Sequence, residues 1–230
     1  MASILVSGLI NIETTLRVEG FPIHYNPVNF PFHGVHSSVS GVGYNLAKAL
    51  TVLGDQVHFL SLIGSADLAG PVVRAALAAG GISDQYVLPA LEHTPQSVIL
   101  YDPSGRRQIH VDLKDVQQQA YPPHLFEQAM AASDLLALCN INFSRPFLVK
   151  ARRAGKRIAS DVHTIADLED DYNRDFMQFA DVLFMSDEKL PQPPEHDWRR
   201  RRALLGFFAC HRRRRRSLHG HPQGGRVCLL

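Results

Sequence analysis

The sequence predicts an α/β fold, three layers deep, with a mainly parallel central sheet between helices and a small β lid. Three observations lead there. Short apolar runs rich in Val, Ile, Leu and Phe alternate with stretches of helical period from Ala2 to about Met185. Such alternation implies parallel strands covered on both faces. Two stretches, Val18–Val39 and Thr94–Leu113, break the alternation and read as material outside the main sheet. Finally, 230 residues that are 45% hydrophobic can bury one core of ordinary size.

The elements follow in order. Ile4–Gly8 is a buried strand; its apolar run is interrupted by Asn11 and Glu13, and no basic segment precedes it, so it does not read as a signal peptide. Val18–Val39 is rich in Pro, Phe and His and too irregular for a helix. Gly43–Leu53 sets Leu46, Ala47, Leu50 and Leu53 on one helical face. Strand Val57–Ile63 and helix Gly70–Ala79 come next. Ser97–Asp102 and Gln108–Leu113 flank Pro103-Ser104-Gly105, the residues of a hairpin turn. Helix Pro123–Ala132, strand Leu135–Asn140, helix Arg145–Ala154, and strands Arg157–Asp161 and Val182–Met185 complete the series. The lid segments are thus about 14–39 and 94–113, within a unit ending near residue 190.

Charge divides the chain. Residues 1–198 carry all 22 acids and 14 of the 24 Lys and Arg, a net of −8, whereas residues 199–230 carry 10 Arg and no acid. No apolar run approaches the roughly 18 residues that cross a bilayer. Cys139, Cys210 and Cys228 have neither disulfide-framework nor zinc spacing, which predicts a reducing, cytoplasmic setting. The 12 histidines find no carboxylate or cysteine at metal-ligand spacing, and Ser37 and Ser38 beside His36 lack an orienting acid.

The most informative stretch is Ser40-Gly41-Val42-Gly43-Tyr44-Asn45-Leu46-Ala47, followed by Gly54 and Gly64. Glycines at a helix start allow close backbone approach, and the helix N-terminus favours an anionic or hydroxyl-rich ligand. A structural turn explains two glycines equally well. A dinucleotide fingerprint does not fit, because the third glycine is missing.

Taken with its spacing, this stretch resembles the first signature of the phosphofructokinase-B/ribokinase family, with Ser40 where that family has Gly or Ala. Leu9-Ile10-Asn11-Ile12-Glu13 resembles the family's Asn-x-Asp pair, with Glu for Asp. Gly64-Ser65-Ala66-Asp67-Leu68-Ala69-Gly70 is similar to its Gly-x-Asp-x-x-Gly turn, shifted by one residue. The resemblance covers roughly residues 2–190 and implies a ribokinase-like fold and an ATP- and Mg²⁺-dependent kinase acting on a sugar or nucleoside hydroxyl. It implies Asn11, Glu13, Gly41, Gly43 and Asn45 as sugar contacts. Asn140 and Asn142 are further candidates, with a turn role as the alternative. On the cofactor side it points to Asp161, and to Asp187 and Glu188 in Phe184-Met185-Ser186-Asp187-Glu188-Lys189. This last stretch stands where the family has Asn-x-x-Glu, and acids favoured by a helix dipole are the other reading. Pairing through the lid into a homodimer is implied in the same way.

The family's Gly-Ala-Gly-Asp, whose Asp is the catalytic base, does not occur in these 230 residues. The expectation is a chain lacking the C-terminal half, with a basic tail over 191–230 that is disordered or frameshifted. His211–Arg216, read one nucleotide later with suitable codons, encodes Ile-Val-Val-Val-Val-Gly, a strand ending in glycine. The competing readings are a non-catalytic sugar-binding protein and an arginine-rich arm for nucleic acid, the latter disfavoured by the lack of interleaved aromatics beyond Phe207 and Phe208.

Overall fold

The computed structural model describes residues 1–167, 170–186 and 189, together with a short strand at 227–229. The chain begins with β1 (Ser3–Ser7), β2 (Asn11–Arg17), β3 (Val35–Ser40), α1 (Val42–Val52), β4 (Gln56–Gly64) and α2 (Ala69–Ala79). It continues through β5 (Val87–Leu91), β6 (Gln96–Tyr101), β7 (Arg107–Asp112), α3 (Pro123–Ala131) and β8 (Leu135–Leu138). The last elements are α4 (Phe147–Arg153), β9 (Arg157–Thr164), α5 (Arg174–Phe179), β10 (Val182–Ser186) and β11 (Val227–Leu229). Apart from β11, the tail expected over 191–230 lies outside the described residues.

The central sheet runs β11-β10-β9-β8-β1-β4-β5, with every pair parallel except β10 with β11. Its strands are apolar on both faces, as parallel strands between helices must be. In β1, Ile4 and Val6 point to a core shared with Tyr44 and Ala47 of α1 and Val73 and Leu77 of α2. Leu5, between them, points the other way, into a core with Phe126, Phe147 and Phe176 of α3, α4 and α5. There the Phe126 and Phe147 rings stack at 3.9 Å.

A second sheet, ordered β3-β2-β6-β7, stands apart as the lid. β2 pairs antiparallel with β3 and parallel with β6, and β6 and β7 form the hairpin. The hairpin turn is held by the Asp102 carboxylate, which accepts from the backbone N–H groups of Ser104 and Arg106, each at 3.0 Å. Gly105 takes a φ of 86° there.

Several elements differ from the sequence reading, α5 and β11 having no counterpart in it. β2 is half-buried and polar, Asn-Ile-Glu-Thr-Thr-Leu-Arg, so it has no apolar alternation to betray it. β3 is almost wholly exposed and occupies the end of a stretch read as irregular. β5 contains Pro89, tolerated because β5 is the edge of the central sheet. The helix expected from Arg145 starts at Phe147, because Pro146 sits at its N-cap.

Candidate functional site

The chain leaves the central sheet at Ser7 and enters the lid at Asn11, and α1 starts against this crossing. A Cβ on Gly43 would lie 2.6 Å from the Gly8 carbonyl carbon, and one on Gly8 would lie 2.7 Å from Cys139 Sγ. Gly41 has a φ of 108°, and a Cβ there would meet Leu9 O at 2.5 Å. Tyr44 N–H donates to Leu9 O at 3.2 Å. Both glycines of the signature are therefore required by backbone contact, which brings the first turn of α1 against the root of the lid.

Five polar side chains meet at this root. Asn11 opens β2 and is 3% exposed. Its Nδ2 donates to Ser97 Oγ at 3.0 Å, while its Oδ1 is buried without a partner among the described residues. Two residues on, Glu13 Oε2 accepts from Ser40 Oγ at 3.1 Å. Ser40 Oγ in turn accepts from Asn45 Nδ2 at 3.2 Å. Strand register explains the gathering. Asn11 lies opposite Ser40, Glu13 opposite Ser38 and Ser97, and Ser97 opposite Val111, so all project from one lid face. Ile99 and Ile109, paired with one another, share that face and supply an apolar rim. The sequence reading missed Ser97 and the bridging role of Ser40; Ser40 as the one departure in the glycine signature was the available signal.

Of the other sequence candidates, Asn140 and Asn142 follow β8, whereas Asp161, read as closing its strand, lies within β9, which runs on to Thr164; all three are engaged within the chain. Asn140, after β8, donates to Asn173 Oδ1 at 2.9 Å. Its carbonyl accepts from Tyr172 Oη. Asn142 donates from its backbone and side chain to Gln117, both at 3.0 Å. These contacts brace three loops against one another. Asp161 in β9 accepts from His163 N–H at 2.8 Å. Burial first, and then the Asp161 charge, push the Cys139 thiol up to about 12, which leaves it an inert neighbour. Asp187 and Glu188 lie outside the described residues. Among the described residues no group of three His, Cys, Asp or Glu could hold a metal ion.

Asp67 anchors the other side of the lid root. Its carboxylate accepts from Gly70 N–H at 2.9 Å, from Thr94 N–H, and from Thr94 Oγ1 at 3.2 Å. Thr94 Oγ1 also accepts from Gly64 N–H at 2.9 Å. Burial pushes the carboxyl pKa up, but the bonds from Thr94 and Gly70 together prevail and hold it below its ordinary 3.8. A depressed folded pKa means the carboxylate stabilises the fold above its unfolded pKa, and that support is lost as pH falls through the folded value. Melting of the Asp67→Asn variant followed from about pH 6 to about pH 2 should accordingly fall less steeply than wild type; parallel curves would contradict this role. A cavity of about 350 Å³ lies beside this anchor, lined by Asp67, Leu68, Ala69, His93, Gln96 and Lys114. Gln96 is in register with Ile12, one residue out of phase with Glu13, so the cavity opens on the opposite lid face from Asn11.

The fold and this polar lid root define a class: a three-layer α/β domain whose lid sheet is grafted onto the end of its first strand. The chain belongs to the pfkB family of carbohydrate kinases, whose sequence model matches residues 1–190. Comparison with curated proteins gives no match. Among solved structures, a microbiome-derived acarbose kinase superposes with a TM-score of 0.72 at 24% identity, covering 82% of this chain and 62% of its own. A ribokinase from Thermotoga maritima gives 0.60 at 19%, covering 82% and 61%. A nucleoside kinase from Burkholderia thailandensis, solved with inosine, gives 0.57 at 16%, covering 80% and 70%. At these identities the likeness shows the ribokinase-like fold. The chain spans about 62% of the length of the acarbose kinase.

Proposed function

We propose that the face formed by Asn11, Glu13, Ser97, Ser40 and Asn45 binds a polyol, the sugar or the ribose of a nucleoside, for ATP-dependent phosphorylation of one of its hydroxyls. The observation that carries this reading is the buried Asn11 Oδ1, an acceptor with no donor among the described residues. An orphaned buried acceptor costs about 1–3 kcal/mol, and a ligand hydroxyl relieves it. Glu13 Oε1 supplies a second acceptor, while Ile99, Ile109 and Val111 suit the apolar face of a sugar ring. Structural neighbours include the nucleoside kinase solved with inosine and an Arabidopsis thaliana ribokinase solved with ribose and ATP, which share a ribose ring.

In this reading Gly41 and Gly43 shape the site through backbone approach. The Asn140 and Asn142 amides brace the loops beside it, since both are held by Asn173 and Gln117. On the side where the resemblance implies the cofactor, Asp161 Oδ1 accepts the His163 N–H and Oδ2 has no bond among the described residues. ATP and Mg²⁺ are proposed on family grounds, and a cytoplasmic setting on the same basis. Among the described residues no helix is long and apolar enough to cross a membrane. A homodimer would pair through the lid loop, where Tyr25, Phe30 and Phe32 are 91%, 73% and 84% exposed.

Calorimetric titration with a panel of pentoses, hexoses and nucleosides tests the site. At least one should bind, and Asn11→Ala should weaken it about tenfold or more while circular dichroism stays unchanged. Equal affinity in the variant would remove Asn11 from the site and with it this reading.

A further inference from the structure

We infer that Ser40 and Glu13 work as one specificity-determining pair that limits the carboxylate to a single hydroxyl of the ligand, an inference that rests on the polyol reading above. Each is a departure from the family pattern at its own position, and the structure joins them. The Ser40 hydroxyl has one proton, which it gives to Glu13 Oε2 at 3.1 Å. On its acceptor side it takes the Asn45 Nδ2 proton at 3.2 Å. The chain Asn45 to Ser40 to Glu13 is thereby directional: it orients the longer glutamate and occupies one of its two oxygens.

Ser40 is 7% exposed and ends β3 opposite Asn11, so its hydroxyl has little freedom to turn elsewhere. A carboxylate with both oxygens free takes two vicinal hydroxyls in a bidentate grip. With Oε2 already accepting from Ser40, Oε1 is the oxygen Glu13 offers in full, and a second ligand hydroxyl would have to share Oε2 with the serine. The site then takes a sugar through one hydroxyl at this position and discriminates weakly between a vicinal diol and its monodeoxy counterpart. Ser40 is a positioning residue acting through Glu13. Its presence beside a glutamate, where a glycine would leave the oxygen free, sets the breadth of substrate accepted.

The test compares matched ligands on the 230-residue chain: D-ribose with 2-deoxy-D-ribose, and inosine with 2′-deoxyinosine. Wild type should bind each diol and its deoxy partner within about threefold, and Ser40→Ala should widen the ratio to about tenfold in favour of the diol. In parallel, melting temperatures of Ser40→Ala, Glu13→Gln and the double variant report the pair without ligand, and should be non-additive. Additive melting shifts would show that the pair does not exist and overturn the inference. Coupled melting with an unchanged diol-to-deoxy ratio would also overturn it, while leaving the polyol site standing. Coupled melting with no binding of any of the four ligands, nor of the wider sugar and nucleoside panel, would overturn the polyol reading itself and this inference with it.

Discussion

Gly43→Ala should lower stability by about 2–4 kcal/mol, a drop in melting temperature of roughly 5–15 °C for a chain of this length. The new methyl carbon would sit 2.6 Å from the Gly8 carbonyl carbon and 2.7 Å from Gly8 Cα, both backbone atoms. No side chain can swing aside to relieve the contact. α1 is also held at Tyr44 and Ala47, which are buried in the core it shares with β1, so the helix cannot simply slide away. Gly54→Ala is the matched control. Gly54 has a φ of +91° but nothing within 4 Å of the added Cβ, so only backbone strain of about 1 kcal/mol is expected. A Gly43→Ala protein melting within about 2 °C of wild type would mean that α1 and the lid root do not approach as described.

The second large effect concerns chemistry. The 230-residue chain, incubated with ATP, Mg²⁺ and the sugar that binds best, should show no phosphoryl transfer above the uncatalysed rate. Proton removal by a positioned base contributes about 10²–10⁴-fold, and donors aimed at the developing charge contribute a further ~10²–10³-fold. The sequence has no Gly-Ala-Gly-Asp to supply either, and its late glycines, Gly224 and Gly225, are not followed by Asp. Asn11 and Asn45 carry no basic group, and Glu13, bonded to Ser40 through Oε2, is assigned to holding a hydroxyl through Oε1. Sustained turnover, abolished by Asn11→Ala, would require a base among residues to which none has been assigned.

Part of this candidate site was legible in the sequence. The glycine spacing located the helix start, but the lid, read as beginning near residue 14, starts at Asn11, so the Asn-x-Glu pair lies inside its first strand. Legibility failed where identity depends on partners distant in the chain. Asn140 and Asn142 carry the right chemistry for hydroxyls, yet their amides are held by Asn173 and Gln117, 33 and 25 residues away. Ser97 is a plain strand serine until register places it opposite Glu13. Asp67 reads as one acid in a turn, and its hold on Thr94 spans 27 residues.

By itself the sequence determined the layered α/β fold, the hairpin of the lid and the position of the glycine bend. Each of those follows from local periodicity, turn chemistry or spacing, which a linear chain records directly. Only the tertiary structure decided where the lid strands β2 and β3 run, that Gly43 presses on Gly8, and that Ser40 joins Glu13 to Asn45. Those facts depend on strand register and on backbones meeting at van der Waals distance. Neither leaves a periodic trace in the order of residues.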